Sequence, residues 1–115
     1  MKTWLAATLV ALAAAGCRKS LAPSKPDAQL TVQEAAGQRV FVSQCSACHY
    51  ANTEQGLNGP GLEGLFRKPY LHSGAAANND RVVAAIVYGK GMMPALGNTI
   101  SDKELQDLLA YLHTL

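Results

Sequence analysis

Cys45-Ser46-Ala47-Cys48-His49 places two thiols three positions apart and an imidazole directly after the second. The neighbourhood narrows what this C-x-x-C-H pattern does. A thioredoxin-like dithiol needs a strand–helix–strand setting, and no such alternation surrounds residues 45–49. A zinc site needs a second Cys or His pair at comparable spacing, which the sequence lacks. A plain structural disulfide has no use for His49.

Upstream, Thr31-Val32-Gln33-Glu34 has the spacing of a capping box and predicts a helix that ends at the cysteine motif. Gly37, Val40, Phe41 and Gln44 follow at i, i+3, i+4 and i+7, which puts three of them on a buried stripe. A mid-helix glycine costs about 1 kcal/mol relative to alanine, so Gly37 implies that a second helix passes close by. Ser101-Asp102-Lys103-Glu104 is a second capping box. Leu105, Leu108, Leu109 and Leu112 form the apolar face behind it, and Asp102 and Glu104 suit the helix N-terminus. Residues 81–88 predict a shorter helix, capped by Asn79-Asp80 and stopped by Gly89. A brief helical turn is also compatible with residues 61–66. The intervening stretches, 50–61, 67–78 and 89–100, are rich in Gly, Asn and Pro. Loops of that length in a small domain imply that they wrap something.

C-x-x-C-H is the covalent attachment sequence for haem. Two thiols can add to the two vinyl groups on one edge of a porphyrin, and the adjacent His then reaches the iron. With this in view, residues 31–115 resemble the class I cytochromes c. The resemblance rests on three signals in order: Cys45–His49, then Asn58-Gly59-Pro60-Gly61-Leu62-Glu63-Gly64-Leu65-Phe66, then Gly91-Met92-Met93-Pro94-Ala95-Leu96 ahead of a helix containing Leu108-Leu109-Ala110-Tyr111-Leu112. It implies an all-α fold of three main helices, with long loops around one covalently bound haem c. It also implies thioether links at Cys45 and Cys48 and axial iron ligation by His49 and Met93. Met92 stands next to Met93 as its rival, and core filling is the ordinary role of methionine.

By the same resemblance, Pro60 offers its carbonyl to the second ring nitrogen of His49; its alternative is a simple turn residue. Arg67 matches an arginine near the haem propionates and reads equally well as a solvated surface charge. Tyr70 and Tyr88 are further propionate candidates. Lys68 and Lys90 are candidates for a docking face, and His72 and His113 read as exposed histidines. Gly37 and Phe41 match positions that cross the last helix near Leu108 and Tyr111.

The N-terminus reads as an address. Lys2 precedes a twelve-residue apolar stretch, Trp4 to Ala15, broken only by Thr8. That is shorter than the roughly 20 residues of a membrane span and suits a secretory signal over residues 1–16. Ala14-Ala15-Gly16-Cys17 resembles a lipoprotein cleavage box, which implies lipidation of Cys17; an ordinary signal with a spare cysteine is the alternative. Residues 18–30, with Pro23 and Pro26, read as a flexible tether. The expected place is then the bacterial periplasm, with the domain held to a membrane by its lipid.

Composition sets the outer limits. Only 16% of the 115 residues are charged and 49% are hydrophobic, so the chain is not a disordered polyelectrolyte. A net charge of +2 is too small for a nucleic-acid binder. From Thr31 on, six basic residues face seven acidic ones. Aromatic residues make up 6%, little for a small domain that must fill its own core. The expected function is one-electron transfer between redox proteins, dehydrogenase or oxidase, met transiently by a monomer, with no enzymatic step. The alternatives are a peroxidase-like haem enzyme and a gas-binding haem protein with a labile sixth ligand.

Overall fold

The computed structural model describes residues 21–115. The reading of residues 1–16 as a signal and of Cys17 as a lipidation site lies outside that range. Three helices carry the fold: α1 (Val32–Gln44), α2 (Asn79–Tyr88) and α3 (Asp102–Leu112). Among the described residues, β-structure is limited to two isolated bridges, Tyr70–Ala76 and Lys90–Met93. The all-α expectation holds.

Both capping boxes form. The Thr31 hydroxyl accepts from the Glu34 amide at 3.2 Å, and the Thr31 amide donates to the Glu34 carboxylate at 2.7 Å. The Ser101 hydroxyl accepts from the Glu104 amide at 3.3 Å, and the Ser101 amide donates to the Glu104 carboxylate at 2.8 Å. A cap of this kind is worth about 1 kcal/mol, enough to fix where each helix starts.

α1 and α3 cross at Gly37. A Cβ placed there would overlap the main-chain oxygen of Asp107 and lie 2.8 Å from Cβ of Tyr111. Beside the crossing, the Phe41 and Tyr111 rings meet at 5.6 Å between centroids, tilted by 55°. Leu108 is fully buried beneath them. Asp107 is buried too, and its carboxylate pairs with Lys103 at 2.6 Å one turn earlier.

α2 differs from expectation at its start. Asn78, not Asn79-Asp80, is the cap, and its side-chain oxygen accepts from the Arg81 amide at 3.0 Å. Asn79 and Asp80 enter the first turn, where Asp80 is favoured by the helix dipole. Gly89, at φ 75°, ends the helix. The following loop is tied back by Leu96 N–H to Ile86 O at 2.8 Å and Gly97 N–H to Val87 O at 3.2 Å. Residues 61–66 form turns instead of a helix; Gly64, at φ 68°, interrupts the right-handed path.

The expected tether over residues 18–30 is corrected in its second half. A 3-10 turn, Asp27–Gln29, forms within it. The Lys25 amide donates to Thr114 O at 2.8 Å, and the Lys25 ammonium pairs with Glu34 at 2.6 Å. Gln38 donates to the Asp27 carboxylate at 2.9 Å, and Leu30 packs against the core. The folded body therefore begins before Thr31. These partners lie on α1 and beyond α3, so no local period in residues 22–30 could announce them.

Candidate cofactor site

The cysteine motif sits where α1 unwinds. Cys45 is the C-cap of that helix, and the Cys48 and His49 amides both return to Cys45 O, at 3.0 and 2.9 Å. This turn brings the two sulfurs and the imidazole out of a single helix end. Both thiols are free and half-buried. Burial, with Cys48 close by, pushes the Cys45 thiol up to about 11.

The segment after the motif folds back on it. Gly59 N–H donates to Cys48 O at 2.7 Å, Leu62 N–H to Tyr50 O at 2.9 Å, and the Asn58 amide to Ala47 O at 3.4 Å. This carries Pro60 to the histidine: His49 Nδ1 donates to the Pro60 carbonyl at 2.8 Å. Among the described residues nothing bonds Nε2. Gly59 lies flat against the same ring. A Cβ there would overlap Cε1 and come within 2.8 Å of Nδ1 and 2.9 Å of Nε2. The sequence reading missed this role of Gly59, although the Gly-Pro pair was its visible signal.

Residues 54–72 line a cleft of about 740 Å³, with Pro60, Leu65, Tyr70 and Leu71 among its walls. His72 and Lys68 line it too, and Lys68 pairs with Glu54 at 2.6 Å. The Met loop makes a tight reciprocal turn, with Lys90 N–H to Met93 O at 3.1 Å and Met93 N–H to Lys90 O at 2.9 Å. The turn separates the two methionines. Met92 is 96% exposed, whereas Met93 is half-buried and packs against the core.

Other expected residues lie elsewhere. Arg67 reaches the end of the chain: its Nε donates to Leu115 O at 3.0 Å and its Nη1 to Ala22 O. His113 stacks on Phe66 at 3.8 Å and bonds Asn79 at 2.8 Å. Tyr88 is exposed on α2.

The donor set fits a covalently held haem. Two free thiols, on Cys45 and Cys48, leave one helix end with two residues between them. Beside them stands an imidazole whose Nδ1 is committed to a carbonyl, which leaves Nε2 as the nitrogen available to a metal. A thioether is turned inward from a separate loop. Fold and donors together define a small class I c-type cytochrome.

Comparison with known proteins agrees. Residues 32–112 match the family model described as cytochrome c oxidase, cbb3-type, subunit III. Cytochrome c6 of Picosynechococcus sp. is 31% identical over 81 residues, covering 68% of this chain and 69% of that one. Cytochrome c6 of Diacronema lutheri is 37% identical over 82 residues, covering 67% and 89%. The solved structure of cytochrome c6 from the diatom Phaeodactylum tricornutum superposes with a TM-score of 0.55 at 25% identity, over 69% of this chain and 88% of that one. The chain belongs to the class I c-type cytochromes. As a member of that family it is an electron carrier with one covalently attached haem c.

Proposed function

We propose that Cys45 and Cys48 carry the thioether links, that His49 and Met93 are the two axial ligands, and that the domain works in the periplasm, held to a membrane through a lipidated Cys17. The observation that carries the ligand assignment is the bond from His49 Nδ1 to the Pro60 carbonyl, with no partner for Nε2 among the described residues.

When bound, haem supplies the Fe(II)/Fe(III) couple that takes up and gives back one electron. The protein's share is orientation and tuning. The Pro60 carbonyl fixes the tautomer and plane of His49. Gly59 supports the ring from beside it. Met93 contributes a soft thioether, which favours the ferrous state and raises the reduction potential. Met92 points to solvent and takes no part in ligation. His49 and Met93 would be the side chains that hold the iron, and the activity is electron transfer to and from another redox protein.

Among the described residues no helix is long and apolar enough to cross a membrane. The reading of Cys17 as the lipidated residue is supported by the apolar stretch and cleavage box ahead of it.

The test is a pair of substitutions in the matured protein. Met93→Ala should abolish the long-wavelength absorption that a sulfur ligand gives ferric haem and should open the reduced protein to rapid CO binding. Met92→Ala should do neither. The reverse result overturns the ligand assignment. Cys17→Ser should move a spectrally intact cytochrome from the membrane to the soluble fraction; its retention in the membrane overturns the anchor.

A further inference from the structure

Residues 22–30 are absent from the cleft lining, yet three separate parts of the fold hold them. Ala22 O accepts from Arg67. Lys25 bonds through its amide to Thr114 O, at 2.8 Å, and through its ammonium to Glu34 on α1, at 2.6 Å. Asp27 accepts from Gln38, one turn further along α1. At the outer end, Leu21 lies over Gly64, next to the Lys68 side chain. The Leu21 contact on Gly64 is the outermost hold on the strap among the described residues.

We propose that this docked strap makes the lipid anchor a short leash, and that the electron-transfer partner is a protein held in the same membrane, with its electron port close to the surface. The proposal rests on the Cys17 anchor put forward above. From Cys17 to Ala22 is five residues of chain, roughly 18 Å at full extension. An undocked tether running to Leu30 would be thirteen residues and roughly 45 Å. The radius of gyration expected for a domain of about 100 residues is ~13 Å. The short leash is therefore comparable with the domain's own radius, and the haem domain cannot rise from the membrane by its own diameter. Arg18 and Lys19 lie within the leash and suit anionic headgroups. A soluble partner gains nothing from this restraint, whereas a partner in the same membrane meets a raised local concentration.

The experiment inserts twelve Gly/Ser residues between Lys19 and Ser20 of the full lipoprotein, which lengthens the leash and leaves the strap untouched. Reduction of the cytochrome is followed in isolated membranes, driven either by quinol through the membrane's own chain or by ascorbate. Going from five to seventeen residues should slow the quinol-driven rate about sixfold by the −3/2 power scaling of tethered encounters, with the ascorbate rate unchanged. A quinol-driven rate within twofold of wild type, with the protein still in the membrane, overturns the leash and leaves the anchor standing. Wild-type protein in the soluble fraction overturns both. Amide exchange of the mature protein gives a second reading: protection at Lys25 supports the docked strap, and exchange at free-chain rates overturns it.

Discussion

Gly37 presses its Cα directly against the main-chain carbonyl of Asp107, and this contact sets how closely the first and last helices approach. The nearest obstacle to a side chain is the Asp107 main chain, which cannot swing away as a side chain can, with the Tyr111 Cβ beside it. Gly37→Ala gains about 1 kcal/mol of helix propensity and loses more to overpacking, which typically costs 1–3 kcal/mol and more where backbone must shift. The net expectation for the mature protein is a loss of about 2 kcal/mol and a fall in Tm of roughly 10 °C. Thermal melts followed at the haem absorbance check it; an unchanged or raised Tm would show that the helices can part without cost.

Gly59 and Pro60 should behave oppositely to what their side chains suggest. The acceptor for His49 is a carbonyl of the main chain, so Pro60→Ala keeps the 2.8 Å bond available and should leave the reduction potential nearly unchanged. Gly59→Ala adds one methyl against the imidazole ring and should displace it, with a shifted potential and a weakened His–iron bond. Potentiometric titration of the two variants decides the matter, and a larger shift for Pro60→Ala would refute it.

Arg67 offers a clean separation between two roles. Its fork bonds the main chain at Leu115 and Ala22, 48 and 45 residues away. Arg67 is exposed and only its bond to Leu115 is half-buried, so Arg67→Ala should cost about 1 kcal/mol, with little change in potential. An unaltered stability with a marked potential shift would instead assign it to the propionates.

Glu34 ties the α1 cap to the strap. Its hydrogen bond from Lys25, and then that from the Thr31 amide, hold its carboxyl below the usual range. A depressed carboxylate contributes stability that is present above its unfolded pKa and is lost as the pH falls through the folded value. Glu34→Gln should therefore lower stability at neutral pH by less than about 1 kcal/mol, as expected of an ion pair near the surface. The two proteins should converge in acid, below the folded pKa. Urea titrations at neutral and acid pH test this; a gap that widens on acidification would reverse the sign.

Charge steering should be weak. With six basic and seven acidic residues from Thr31 on, electron-transfer rates with a protein partner should change only modestly between low and physiological ionic strength. A steep, many-fold fall measured by stopped flow would reveal a concentrated docking patch.

Legibility in the sequence followed the range of the interactions. The caps at Thr31 and Ser101 act over three residues, and both helix starts were readable. Gly37 was readable as a close approach because its cost within a lone helix demanded a reason. α2 was placed, yet its cap fell one residue earlier, since neighbouring Asn78 and Asn79 compete and local pattern cannot separate them. The strap was unreadable: Lys25 is held by Thr114 and Glu34, and Asp27 by Gln38, so its order comes from distant partners. At the site, Cys45, Cys48 and His49 are set by covalent spacing and stand out from sequence alone. Gly59 did not, because what it touches is visible only once residues 56–62 fold back on the motif.

The crossing of α1 and α3 also dictates when the molecule can become solid. Its central contact joins Gly37 to Asp107, seventy residues apart, and Leu108 closes the core only when the last helix arrives. A polypeptide threaded through a narrow channel N-terminus first keeps its keystone on the far side until α3 has passed. Such a chain stays pliable throughout the crossing and sets after it.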